Sequence, residues 1–138
     1  MEGEYKTLGL AGLTQAINAS KLNKKHFIVL DKHGSVATFM QYQASLNDFF
    51  KSVVKVTMEK ATTDEVLDEL RASMVHSMRQ GKLFVINISQ TRPDFKTTYL
   101  GCTDVFPCNE IFNIEEWAKH EVHKKIIREE ENVDAQGN

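Results

Sequence analysis

Two polar loops hold the side chains that could do chemistry, and each loop follows a short apolar run. The first loop, at 31–35, reads Asp-Lys-His-Gly-Ser and follows the run Phe-Ile-Val-Leu at 27–30. The second loop, at 87–92, reads Asn-Ile-Ser-Gln-Thr-Arg and follows the run Leu-Phe-Val-Ile at 83–86. In open α/β folds, ligands sit where the strands end. If the two runs are adjacent parallel strands, the two loops face each other across one crevice.

The loop residues suggest two kinds of role in such a crevice. Asp31 could orient His33 as a general acid or base, while Arg92 could hold an anion. Asp31 and His33 are therefore the candidate catalytic residues. The candidates for binding a phosphorylated ligand or a nucleotide are the other polar residues of the two loops, namely Lys32, Ser35, Asn87 and Arg92.

The first loop does not carry a phosphate-binding signature. A Walker-type loop needs several glycines, and a lysine beside a serine or threonine at the start of the helix. Here Gly34 is the one glycine and Lys32 precedes it, and the chain holds no G-x-G-x-x-G pattern. The simpler interpretation is a tight turn in which Gly34 adopts a positive φ.

A second group of residues, near the C-terminal end, could bind a metal. Cys102, Cys108, His120 and His123 form the pattern C-x5-C-x11-H-x2-H, which is near the spacing of a zinc finger. The loop between the cysteines is wide, and the histidines are closer together than usual. The metalloprotease motif H-E-x-x-H is excluded, because Lys124 stands where its second histidine is needed. We therefore expect no metal or other cofactor and keep the four residues only as candidate ligands.

The bulk composition narrows the classes of partner and compartment. The chain has 138 residues, 41% of them hydrophobic, which suffices for one domain with its own core. A formal net charge of −2 is not the basic footprint of a nucleic-acid-binding protein. No apolar stretch is long enough to span a membrane, and two cysteines make no disulfide framework. We expect a cytoplasmic protein with neither a nucleic-acid nor a membrane partner.

Apolar periodicity predicts the elements that would position the loops. Apolar residues recur at spacings of three and four in four segments, which predicts helices over about 7–22, 46–60, 63–80 and 114–130. Continuous apolar runs predict central parallel strands at about 26–31 and 82–88. The stretch 35–43 fits a strand or a helix, and its β-branched and aromatic residues favour the strand. A short strand is also a candidate near 95–100.

Capping signals mark the ends of two of these helices. Thr63 is the expected N-cap of helix 63–80, and Gly81 is its expected C-terminal stop. For the last helix, Asn113 is the expected cap and Glu116 holds the capping-box position.

Together these elements predict a small three-layer α/β domain. Its sheet has three or four mainly parallel strands, and helices cover both faces. The single domain spans 1–128, and the acidic residues 129–138 are expected to form a disordered tail.

Two classes of function remain open on the sequence. Because neither loop passes a motif test for catalysis, the chain is expected to be a non-catalytic module that binds a protein or acts as an accessory domain. The alternative is a small-molecule or hydrolytic site at the strand exits. An interaction module exposes an apolar patch, whereas an enzyme gathers groups of shifted pKa in a concave pocket.

Overall fold

The architecture is a two-stranded parallel sheet with helices before, between and after the strands. The structure, a computed structural model, describes residues 7–95 and 105–132. Strand β1 (Ala44–Asp48) pairs with β2 (Leu83–Asn87), so that Ala44 lies beside Leu83 and Asp48 lies beside Asn87. The longer helices are α1 (Leu13–Leu22), α2 (Ser35–Gln43), α3 (Phe49–Thr57) and α4 (Thr63–Gln80).

Strand β2 confirms the predicted strand at 82–88, and it pairs in parallel as predicted, but not with the predicted partner at 26–31. Its partner is β1, of which residues 46–48 were predicted to begin a helix over 46–60. The polar residues of β1 tolerate a strand because they are hydrogen-bonded. The Nδ2 of Asn47 donates to the carbonyl of Val85 (3.2 Å), and the hydroxyl of Ser73 in α4 donates to the Oδ1 of Asn47 (2.5 Å). Helix α3 therefore starts only at Phe49.

The two faces of the sheet pack against different helices. Ala44, Leu46, Leu83 and Val85 contact a cluster of buried residues from α1 and α2, formed by Leu13, Ile17 and Met40. On β2 the alternate residues, Phe84 and Ile86, contact a larger cluster built on α3 and α4. This alternation is the period of two that a strand imposes on its side chains. A mixed helix and strand fold is confirmed, but two strands replace the predicted three or four among the described residues.

The predicted strand at 26–31 is wrong. Residues 25–31 belong to neither a helix nor a ladder, and the large apolar side chains at 27–30 are exposed. An apolar run indicates a tendency to be buried, but burial requires a covering element. The helices that could cover the run, α1 and α2, pack instead on the face formed by β1 and β2.

The stretch 35–43 is helix α2, so the preference for a strand is also wrong. Val36, Phe39 and Met40 pack together on the sheet, at the spacing of three and four residues that aligns side chains on one face of a helix. Tyr42 lies off that face and is exposed. The tertiary contact of one helical face outweighed the β-propensity of the individual residues.

Helix α4 confirms the predicted helix over 63–80. Its N-cap is Thr62 rather than Thr63, because Thr62 forms a complete capping box with Glu65. Gly81 ends the helix with φ 63°, as the sequence predicted. The apolar stripe of α4 includes Leu67, which is fully buried in the larger cluster, as is Phe106.

The single helix predicted over 114–130 is broken into short pieces. After the turn α5 (Cys108–Ile111) come α6 (Ile114–Trp117) and α7 (His120–His123), followed by 3-10 turns at Lys124–Ile126 and Glu129–Glu131. Asn113 caps α6 by accepting from the amide of Glu116 (3.4 Å), as predicted. Lys119 then adopts extended backbone, which interrupts the helix.

Two residues after the interruption at Lys119, Val122 and Ile126, are both buried. The candidate strand near 95–100 lies almost wholly outside the described residues, as do 133–138 of the predicted tail. In the described part of the chain, no helix is long and apolar enough to cross a membrane.

Candidate functional site

In the first candidate loop, Asp31 binds main-chain groups at the start of α2. Its Oδ2 accepts from the amide of Val36 (2.9 Å), and its Oδ1 accepts from the amide of His33 (3.2 Å). Slight desolvation opposes them, but these main-chain donors lower the pKa of Asp31 on balance. Gly34 has φ 76°, so the predicted positive φ is confirmed. Asp31 therefore contacts His33 through the main chain, and it acts as a cap for α2.

The side chains next to Asp31 are open to solvent. Lys32, His33 and Ser35 are all exposed, and Ser35 is the first residue of α2. Neither the ring of His33 nor the ammonium of Lys32 has a hydrogen bond or ion pair with any residue in 7–95 or 105–132. The predicted orientation of the His33 ring by Asp31 is not seen, because Asp31 accepts from the His33 amide and not from the imidazole.

At the other predicted site, the exit of β2, Asn87 stabilises a turn. Its Oδ1 accepts from the amide of Ser89 (3.1 Å), and Ser89 adopts φ 52°. Arg92 follows and is exposed. Across the register of the sheet, the residue that faces Asn87 is Asp48. Asp48 was predicted to lie within the helix over 46–60, although an aspartate directly before an apolar helical stretch is a typical N-cap signal.

Asp48 is itself occupied by the helix that follows it. Its Oδ1 accepts from the amide of Lys51 (3.4 Å), and its Oδ2 lies 3.6 Å from the Lys51 ammonium. Within the described ranges, no hydrogen bond or ion pair joins the loop at 31–35 to the loop at 87–92. Asp31 and Asn87 therefore stabilise local structure, and the polar residues of the two loops do not form one assembled site.

The metal-ligand candidates fall in different environments. Cys102 lies outside the described residues, whereas Cys108 is buried and its thiol donates to the carbonyl of Phe106 (3.4 Å). Burial raises the pKa of the Cys108 thiol, which keeps it protonated. His120 and His123 have ring centroids 5.3 Å apart, and the Nδ1 of His123 lies 3.2 Å from the Trp117 carbonyl. Among the residues that the structure describes, no three His, Cys, Asp or Glu side chains are placed to hold a metal.

Sequence reasoning also missed a buried charge cluster around Arg71 in α4. Arg71 is 3% exposed, and its two terminal nitrogens bind the two carboxylate oxygens of Glu131 at 2.7 and 2.9 Å. The Nε donates to Asp68 (2.9 Å), and Nη1 also donates to the carbonyl of Ile126 (2.7 Å). Hydrogen bonding to Arg71 lowers the pKa of Glu131, and the pair raises the pKa of Arg71.

This cluster fastens the C-terminal part of the chain to α4. Arg128 also binds Asp68 (2.5 Å), and Arg79 donates to the main-chain carbonyl of Glu131 (2.6 Å). A signal for it was present in the sequence, because Arg71 lies four residues after Leu67 on the apolar stripe of α4. The guanidinium already binds carboxylates and a carbonyl, so the cluster has a structural role.

The remaining unusual surface is the exposed apolar segment, residues 27–30. Phe27 and Val29 are 37% and 39% exposed, whereas Ile28 and Leu30 are 87% and 70% exposed. Their main-chain groups make no hydrogen bond with any part of the chain that the structure describes. The segment is anchored at both ends, because the Nε2 of His26 lies 3.1 Å from the carbonyl of Ile111 and Asp31 caps α2.

Comparison with protein-family models, with curated proteins and with solved structures gives no match. The class of this protein therefore follows from its own geometry: a small mixed helix and strand fold around a two-stranded parallel sheet.

Proposed function

We propose that this protein is a non-catalytic interaction module that binds a partner protein along the exposed apolar segment. The observation that carries the proposal is the exposure of Ile28 and Leu30 beside main-chain groups that have no partner in the described structure. Single exposed apolar residues are ordinary, but a continuous run of four is a typical feature of an interaction surface.

The energetics of binding at this segment are favourable. Burying an exposed isoleucine or leucine side chain contributes about 1.5–3 kcal/mol. Each main-chain hydrogen bond that the partner adds contributes about 1 kcal/mol net. Because His26 and Asp31 hold the two ends of the segment, less conformational entropy is lost on binding.

The exposed segment also indicates which class of partner to expect. We infer a protein partner in the cytoplasm, rather than a nucleic acid or a membrane, since the exposed segment is apolar and the net charge of −2 is not that of a typical nucleic-acid-binding protein. The alternative of a phosphorylated ligand or hydrolytic site at Lys32, Ser35, Asn87 and Arg92, served by Asp31 and His33, has weaker support. The capping contacts of Asp31 and Asn87 already occupy side-chain oxygens that such a site would use.

A peptide-display selection tests the proposal. The full chain is used as bait for a library of random 12-residue peptides, and the enriched peptides are then measured against the double variant Ile28→Asp/Leu30→Asp. We expect at least a tenfold loss of affinity, because two buried contacts are replaced by desolvated carboxylates. Both substitutions are at exposed positions, so thermal unfolding should change little.

The matched control places the same charges on another exposed apolar surface. Val54→Asp/Met58→Asp alters two exposed apolar residues at α3 and should leave the affinity unchanged. If the selected peptides bind the Ile28→Asp/Leu30→Asp variant as well as the wild type, the exposed apolar segment is not the binding surface. A selection that enriches no peptide contradicts the proposal equally.

A further inference from the structure

We infer that the partner docks as an added β-strand, with acidic residues at one end that bind the lysines beside the exposed apolar segment. This inference rests on the proposed function and specifies the chemistry of the partner. Its basis is the juxtaposition of an unpaired, alternating apolar segment with lysines that have no carboxylate partner in the described structure.

The exposure of the segment alternates as the exposure of a strand does, although the segment pairs with no strand in the described structure. Exposure alternates along Phe27, Ile28, Val29 and Leu30 between about 40% and 70–87%. Side chains of a strand point alternately to opposite sides, and its main-chain donors and acceptors point along the edges. In the described structure those of 27–30 have no partner. A peptide that pairs with an extended segment as a β-strand gains affinity from the main chain and specificity from alternate side chains.

The charges next to the segment are basic and unpaired. Lys21, Lys24 and Lys25 precede the segment, and all three are exposed. None of them forms an ion pair with any carboxylate in residues 7–95 or 105–132. The end of α1 positions them. The main-chain amide of Lys25 donates to the carbonyl of Ser20 (2.9 Å), and Lys24 adopts φ 53°. The chain therefore turns from α1 into the segment at the lysines.

The same lysines disfavour a second copy of this chain as the occupant in the two pairings that match all four residues of the segment. In an antiparallel pairing centred between Ile28 and Val29, Lys25 of each copy lies opposite Lys32 of the other. A parallel, in-register pairing places each lysine beside the same lysine of the second copy. Like charges directly opposed across a strand pair are destabilising, and edge lysines are a known protection against self-pairing. A partner strand with acidic residues at that position avoids this repulsion.

Labelled synthetic peptides test the charge preference. Two peptides carry an alternating Val-Thr core with a Glu-Asp pair at the N-terminal or the C-terminal end, and a third carries Lys-Lys instead. In fluorescence anisotropy with the full chain at low salt, we expect the better acidic peptide to bind at least tenfold more tightly than the lysine peptide. The acidic end whose advantage depends on Lys24 and Lys25 reports whether the added strand is parallel or antiparallel.

Variants of the lysines identify the site of that preference. Lys24→Gln/Lys25→Gln should remove most of the advantage of the acidic peptide, and added salt should reduce it in the wild type. Lys55→Gln/Lys60→Gln changes two exposed lysines near the end of α3 and should leave the advantage intact. An advantage that survives Lys24→Gln/Lys25→Gln overturns the assignment of the lysines.

Methylation of the peptide main chain tests the strand geometry. N-methyl groups at alternate residues remove the donors on one edge of the peptide. We expect one of the two alternating sets to weaken binding at least tenfold and the other to have little effect, because only one edge faces the segment. If both sets are harmless, the partner does not dock as a strand.

Failure of this inference is distinguishable from failure of the proposed function. Binding that requires Ile28 and Leu30 but ignores peptide charge or methylation overturns the added acidic strand and leaves the interaction module intact. Binding that ignores Ile28→Asp/Leu30→Asp overturns both. Sedimentation supplies the last outcome: a wild-type dimer that this variant dissociates makes a second copy the occupant and overturns the inference. Failure of all three peptides to bind overturns it too.

Discussion

The Arg71 cluster and the exposed apolar segment reverse the usual distribution of charged and apolar residues. Arg71 is buried, and its guanidinium binds two carboxylates and a main-chain carbonyl. Ile28 and Leu30 are apolar and lie in water. The contrast shows that burial in this chain depends on which groups find partners. A charge is tolerated inside when its hydrogen bonds are satisfied, and an apolar side chain stays outside when no element covers it.

The largest expected effect comes from the same substitution made in the two regions. Leu67→Ala removes a fully buried side chain from the core beneath α4 and should lower the free energy of unfolding by about 2–5 kcal/mol. Leu30→Ala removes a side chain that is 70% exposed and should change it by no more than about 0.5 kcal/mol. Urea denaturation measures both. Equal losses would show that residues 27–30 are covered in solution, and the contrast would then be wrong.

The second-largest expected effect comes from Glu131, whose carboxylate binds Arg71 and holds the C-terminal part of the chain on α4. Glu131→Gln keeps one acceptor for Arg71 and loses the charge, so we expect a loss of about 1.5 kcal/mol at neutral pH. Hydrogen bonding to Arg71 lowers the pKa of Glu131 in the folded state. Its contribution is therefore present above the unfolded glutamate pKa of about 4.3 and is lost as the pH falls through the lower folded value.

Urea denaturation between pH 7 and pH 3 checks this sign. The difference in stability between wild type and Glu131→Gln should shrink as the pH falls. Glu130→Gln is the matched control, since Glu130 is exposed and lies in the same 3-10 turn. A difference that stays constant, or that Glu130→Gln reproduces, would mean that the contact between Arg71 and Glu131 does not fasten this segment.

The smallest effect separates capping from catalysis at the start of α2. Asp31→Ala removes the acceptor for the amides of Val36 and His33 and should cost about 1 kcal/mol. Asp31→Asn keeps an acceptor and should recover most of that loss, whereas His33→Ala should have almost no effect. Thermal unfolding gives the comparison. A large loss in His33→Ala would show that the imidazole takes part in a contact that capping does not explain.

The interior of α4 and strand β2 could be predicted, because their signals are local. The spacing of Leu67, Leu70 and Met74, and the position of Gly81, describe a helix without reference to the rest of the fold. The N-cap was displaced by one residue, to Thr62, since Glu65 completes the capping box there. The run at 83–86 was predicted as a strand on composition, and it lies in a parallel sheet as predicted, although its partner is β1 and not the run at 27–30.

The candidate site was harder to predict, because it depended on which strand pairs with β2. The apolar run at 27–30 matches β2 in composition, yet β1 carries Ser45 and Asn47 and still became the partner. Those polar residues are accommodated by Ser73 of α4, which lies 26 residues beyond Asn47 in the chain. No local pattern around β1 contains that information. Asp31 was consequently assigned to a strand exit when it caps a helix.

Local signals were enough for the helix that Gly81 ends, for the strand after it and for the turn at Gly34, since caps and periodicity act within a few residues. Long-range packing was needed to choose between two apolar runs and to bury Arg71 against Glu131. The physical reason is common to both cases. The free energy of burying a side chain is a property of the whole environment, and residues far apart in the chain supply most of that environment.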